Sequence, residues 1–148
     1  FFLIMDLVTG KQSGLHDISE GPLLLEIAWE VARKVGGIYT VLRTKLPFTC
    51  GIWKDRYALV GVYNHESAAT EFEPVEPKPL YAKAIQNLTQ NNPGIRIHFG
   101  RWLVPGYPTV FLFELRSSEH FLHQWREELM PDFSVPSDMD MNDFIIFG

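Results

Sequence analysis

The sequence predicts an α/β protein with a mostly parallel sheet and one local hairpin. Three observations predict it. Runs of Val, Leu, Ile and Phe alternate along the chain with segments whose apolar residues recur at helical spacing. A glycine pair, Gly36–Gly37, stands between the first such run and the first helical pattern. Two later runs, IRIHFGRWLV and TVFLFEL, are joined by a Pro105–Gly106 turn, as in a hairpin.

Each element follows from its own residues. Residues 11–21 are polar and contain glycine, so they read as loop. Residues 23–31 are a continuous apolar run interrupted by Glu26 and Glu30, the pattern of a buried strand ending near Val31. Ile38, Val41 and Leu42 then recur as i, i+3, i+4, predicting a helix over 38–45 that Pro47 stops. YALVGVY, 57–63, is a second strand. Residues 71–79 hold three prolines and three glutamates and read as a surface loop. Leu80, Ala84, Ile85 and Leu88 share one face of a short helix, which a turn at 91–94 ends. Residues 95–104 and 109–115 are the third and fourth strands. Ser117 or Ser118 caps a helix with Phe121, Leu122 and Trp125 inside and Pro131 beyond it. Asn142 or Asp143 caps a last helix that the chain end cuts short.

Composition bounds the class. The 148 residues suit one domain, and 46% hydrophobic with 14% aromatic content suggests a large buried core. Thirteen basic against eighteen acidic residues give a net charge of −5, with no basic stripe, so no nucleic-acid partner is expected. A local basic pocket remains compatible with that balance. One cysteine, Cys50, allows no internal disulfide and no C-x-x-C metal pair, which fits a reducing, intracellular setting. The apolar start of the chain is too short to span a membrane and has no basic leader, so no membrane partner is expected. Both ends read as cut rather than finished.

The segment EVARKVGGIYTVL, 30–42, carries the chemistry. Two glycines let backbone pass close to a ligand. A helix beginning near Gly37 would aim free N–H groups at what lies above it, and such a terminus favours phosphate. Lys34 adds a mobile positive charge there. The residues fit a diphosphate site at the first strand-to-helix turn. They fit a tight connection with a solvated lysine as well, because neither G-x-G-x-x-G nor the P-loop pattern is complete. Glu26 and Glu30 flank Trp29 and could orient Lys34 or a sugar hydroxyl, or face water. His120 and His123 read as helix surface, His98 as a satisfied sheet residue, and Arg101 and Trp102 as packing. No G-x-S-x-G or H-E-x-x-H occurs, and no catalytic constellation is complete.

Several segments together resemble one family. LLLEIAWEVARKVGGIYTVLRTK, DRYALVGVY, IHFGRWLVPGYPTVFLFEL and LHQWREELM through NDFIIFG are similar, in order, to the opening of the eukaryotic-type glycogen synthases. The resemblance covers residues 23–148, and residues 1–22 stand apart as a poorly matching segment. It implies a Rossmann-like fold, here the truncated start of the N-terminal domain of a GT-B glycosyltransferase. It implies transfer of glucose from UDP-glucose to the 4-hydroxyl of a glycogen chain end with retention, without metal or cofactor. Carried over residue by residue, it places Lys34, Gly36 and Gly37 at the UDP-glucose site and leaves no catalytic residue inside this chain, which alone would be inactive. It further implies a cytoplasmic, allosteric enzyme with glycogenin and copies of itself as partners. The alternatives are a stand-alone nucleotide-binding module, or a non-catalytic carbohydrate-binding domain using exposed aromatics such as Trp53 or Tyr107.

Overall fold

The computed structural model describes residues 2–5, 22–129 and 142. Its centre is the strand Tyr57–Val62 (β3, the third in chain order), in which Tyr57, Ala58, Leu59 and Val62 are all buried. Such a strand reads as one unbroken apolar run because both of its faces are covered. Leu23–Ile27 (β2) and Thr109–Phe113 (β6) pair with it in parallel on either side. Three antiparallel strands extend this core. Phe2–Met5 (β1) pairs with β2, Ile97–Trp102 (β5) pairs with β6, and Phe72–Pro74 (β4) pairs with β5. The order is β1-β2-β3-β6-β5-β4, a mixed sheet. The parallel trio and the β5–β6 hairpin agree with the sequence reading, while the pairings at the two edges make the sheet less parallel than expected.

The helix Gly37–Trp53 (α1) covers one face. Tyr39, Leu42 and Leu46 face Leu24, Tyr57, Leu59, Val110, Leu112 and Trp102. The expected face was Ile38, Val41 and Leu42, but Ile38 is 52% and Val41 60% exposed. The helix is turned so that Tyr39 is inside, because its hydroxyl finds the Glu71 carboxylate at 2.9 Å and its ring meets Trp102 edge-on at 5.3 Å. Nor does Pro47 end the helix. Leu46 is fully buried, Cys50 and Trp53 pack on the same core, and these contacts on both sides of the proline carry the helix through it. The proline's local cost is real; packing along the whole buried stripe outweighs it.

On the other face the helix Pro79–Asn91 (α3) sets Tyr81 against Phe111 and Phe99, with ring centroids 5.3 and 5.7 Å away. Its expected stripe is partly displaced: Tyr81 is buried, and Leu80 is 47% exposed. Two elements inside or beside the expected 71–79 loop were not foreseen. The helix His65–Glu71 (α2) is capped by Asn64, whose Oδ1 accepts from Ser67 N at 2.9 Å, and β4 follows it directly. Leu115–Phe121 is a 3-10 turn leading into Leu122–Leu129 (α4). There Ser117 is a link rather than a helix cap: its hydroxyl accepts from Arg96 N at 2.8 Å and donates to Glu114 O at 2.5 Å. The expected loop at 11–21, the stop at Pro131 and, apart from Asn142 itself, the last helix lie outside the described residues.

The apolar run of the first strand also divides. β2 stops at Ile27, and Ala28 to Arg33 turn, with Val31 N donating to Ala28 O and Arg33 N to Glu30 O, both at 3.3 Å. Val31 is nonetheless fully buried, seated over Gly61 of β3. A Cβ on Gly61 would stand 2.5 Å from the Val31 Cβ, so only bare backbone fits beneath the turn.

Polar groups inside are matched. Glu26, 6% exposed, accepts from the Tyr57 hydroxyl at 2.6 Å and is ion-paired to Lys45. Burial, and then the Glu26 hydrogen bond, hold the Tyr57 phenol far above its usual pKa. Glu26→Ala removes the acceptor of the one and the counter-charge of the other, and is expected to cost about 2–4 kcal/mol. Urea unfolding at neutral pH measures it; a loss under ~0.5 kcal/mol, the range of an ordinary surface change, would show that the pair is not structural.

Alkaline stability gives a second check. The Tyr81 hydroxyl donates to Asp55 O at 2.6 Å, and burial, with the nearby Asp55 charge, pushes its pKa up to about 12 from 10.0. The folded state therefore holds this proton more tightly than the unfolded chain, so its contribution is complete below pH 10 and is lost between pH 10 and about 12. Tyr57 shifts in the same direction. The urea midpoint should fall across that window, and Tyr81→Phe should fall less steeply than wild type.

Candidate functional site

The turn from Ala28 to Gly36 lies between β2 and α1. Its path needs Ala32 at φ 51°, a left-handed conformation, and buries that residue beside Val31. Gly36 is extended and Gly37 begins the helix, as its residues predicted. No side chain at the N-cap itself serves the helix. The carboxylate of Glu30 does so instead: its Oε2 accepts from Gly36 N at 2.8 Å and from Tyr39 N at 2.9 Å. An anion at this end also complements the helix dipole.

Lys34 is exposed on this turn and makes no hydrogen bond or ion pair among the described residues. Glu26 and Glu30 are not its partners, since each is committed elsewhere. Arg33 beside it lies over the Trp29 ring at 5.8 Å. The two glycines do different work. A Cβ on Gly36 would stand 3.0 Å from Glu30 Oε1, whereas a Cβ on Gly37 would meet nothing within 4 Å. Gly36 makes room for the Glu30 cap, and Gly37 leaves open space at the first turn.

A cleft of about 660 Å³ opens beside the turn, beyond the carboxyl ends of β2, β3 and β6. That edge is where open α/β sheets hold ligands. Trp29, Arg33, Tyr63, Asn64, Glu114 and Arg116 are among its lining residues. Below it His98 stacks on Tyr63 with centroids 3.6 Å apart and points Nε2 at Glu114 Oε2, 3.5 Å away, which makes it the satisfied sheet residue expected of it. His120 meets Pro93 O at 3.0 Å and His123 faces Glu127 along the helix. No group of His, Cys, Asp and Glu suited to a metal ion occurs among the described residues. Burial pushes the Cys50 thiol up, away from a nucleophilic thiolate. Trp102 is fully buried and Arg101 exposed, so packing accounts for the tryptophan.

Comparison with known sequences decides the family. A sequence model described as glycogen synthase matches residues 26–148. The chain belongs to the glycogen synthase family. It is 52% identical over 126 residues to a glycogen [starch] synthase of Dictyostelium discoideum and 43% identical over 129 residues to one of Neurospora crassa. It is 41% identical over 130 residues to the liver glycogen [starch] synthase of Homo sapiens. Each alignment covers 85% of this chain but 14–18% of the relative. The chain therefore spans less than a fifth of the length of these glycogen synthases. No helix among the described residues is long and apolar enough to cross a membrane.

Sequence reasoning singled out Lys34 and the glycine pair as candidates but not the Glu30 cap. A capping carboxylate six residues ahead of the N-cap has no fixed spacing to search for; capping boxes do. The two glycines should respond with opposite signs. Gly36→Ala crowds Glu30 and puts a poor residue at the N-cap, lowering stability by about 1 kcal/mol. Gly37→Ala meets open space in a helical position and raises stability by roughly 0.4–1 kcal/mol. Thermal unfolding of the two variants separates them; equal losses would mean that the space at Gly37 is filled.

Proposed function

We propose that this chain is the opening part of a eukaryotic-type glycogen synthase, an enzyme that carries glucose from UDP-glucose to the 4-hydroxyl of a glycogen chain end with retention. The observation that carries the proposal is the family match over residues 26–148, with the exposed Lys34 and open Gly37 standing in its first strand-to-helix turn. Residues 23–148 are then part of the N-terminal domain of a GT-B enzyme, and a second Rossmann-like domain lies outside this chain. β1, at Phe2–Met5, joins the same sheet from the segment before it.

In this reading Lys34, Gly36 and Gly37 belong to the donor site. In it the Lys34 ammonium meets the diphosphate, and its attraction grows as the departing UDP takes on charge. That is electrostatic stabilisation of a transition state, supplied by a cation and the helix end rather than by proton transfer. The acid, base and sugar-binding groups are supplied from outside this chain, which is inactive alone. The whole enzyme is cytoplasmic and allosterically controlled, and assembles with glycogenin and with its own copies. A carbohydrate-binding module has less support: of the two aromatics named for that role, Trp53 is partly covered and only Tyr107 is exposed.

Steady-state kinetics of full-length Lys34→Ala, with both substrates varied, tests the reading. A charge-assisted contact of this kind is worth about 1.5–3 kcal/mol, so kcat/KM for UDP-glucose should fall about ten- to a hundredfold. The KM for glycogen should stay at its wild-type value. Wild-type kinetics for UDP-glucose would reduce Lys34 to a surface charge and remove the donor site from this turn.

A further inference from the structure

We propose that Glu30 is a positioning residue of the donor site: its carboxylate fastens the turn that carries Lys34 to the first turn of α1. The proposal rests on the donor-site reading above and adds a residue to it.

Lys34 has nothing to hold it among the described residues, and a lysine side chain is long and free to turn. Where its charge stands is therefore decided by the backbone beneath it. That backbone is not self-supporting. Ala32 occupies a left-handed conformation that alanine rarely adopts, so the surroundings must impose it. Two constraints do so. One is the burial of Val31 and Ala32. The other is Glu30, which stands before Lys34 in the chain and bonds to Gly36 and Tyr39 beyond it. One side chain thus closes the loop that contains Lys34, and closing a short loop removes most of its freedom.

The same bonds separate Glu30 from a ligand role. Its Oε2 is already shared between two backbone N–H groups, and its negative charge would repel a diphosphate. It acts through Lys34, by fixing geometry, and leaves the N–H groups of Gly37 and Ile38 as the first-turn donors that it does not use. The room that Gly36 leaves for the carboxylate, 3.0 Å from Glu30 Oε1 to a would-be Cβ, fits the same role.

A double-mutant cycle in the full-length enzyme tests this. The four proteins are wild type, Glu30→Ala, Lys34→Ala and the double variant, assayed for kcat and for the KM of UDP-glucose and of glycogen. Misplacing a binding group by about an ångström costs up to roughly a hundredfold, so Glu30→Ala should lower kcat/KM for UDP-glucose by about ten- to a hundredfold with glycogen KM unchanged. In the Lys34→Ala background the same substitution should have little further effect on UDP-glucose, because the group being positioned is gone. Glu30→Gln, whose amide oxygen can still accept both bonds, should restore most of the loss. Additive losses in the cycle, or equal losses toward both substrates, would overturn the proposal and leave Glu30 a helix cap. Should Glu30→Ala fail to fold, Glu30→Asp, one methylene too short to keep both bonds, takes its place in the cycle, and wild-type kinetics there overturn the proposal too. If Lys34→Ala alone is wild type, the donor reading falls first and this one with it; if Lys34→Ala is impaired and Glu30→Asp is not, only this one falls.

Discussion

Tyr39 holds three parts of the molecule together. Its backbone N–H is fastened to Glu30, its hydroxyl to Glu71, and its ring to the edge of Trp102. Glu71 closes α2 and also accepts from the Trp102 indole at 2.9 Å. One buried phenol therefore joins the turn after β2, the end of α2 and the last residue of β5. Removing its hydroxyl partner would leave polar groups stranded beside a buried tryptophan, and low-dielectric surroundings make such stranding costly. The rotation of α1 about its axis follows from this arrangement: with Tyr39 inside, Leu42 and Leu46 must be inside as well, and Ile38 and Val41 face outward.

That constraint explains what could be read in the sequence. The inner strands were legible because β3 is buried on both faces and β6, apart from Thr109, is wholly apolar, so no charged residue interrupts either pattern. The start of α1 was legible because two adjacent glycines before a helical pattern have few other uses. Its inner face was not, since Ile38, Val41 and Leu42 satisfy helical spacing as well as Tyr39, Leu42 and Leu46 do. Only the partners of Tyr39, thirty and more residues downstream, decide between the two stripes. The passage of α1 through Pro47 is the same kind of case: a local rule gave way to packing by residues distant in the chain. β4 was hidden in a segment rich in proline and glutamate, because its pairing with β5 is set by the partner strand rather than by its own composition.

The site shows the same division. Lys34 and the glycine pair stood out as candidates by residue type. Glu30 did not, because a glutamate beside a tryptophan has many possible roles, and its role here depends on the chain folding back over six residues. Glu26 and Glu30, four residues apart, end in opposite circumstances: one is sealed under α1 with Tyr57 and Lys45, the other lies at the helix terminus. Two carboxylates in one short segment thus serve the interior and the rim of the sheet separately.

The seat of Val31 on Gly61 has a mechanical consequence. With no side chain on Gly61, the Val31 side chain rests directly on the backbone of the central strand. The turn after β2 cannot rock without lifting off β3, so it behaves as an outcrop of the sheet and not as a lid. Any closure that completes a site at this edge must come from an element that moves toward it. In mechanical terms the turn is the anvil.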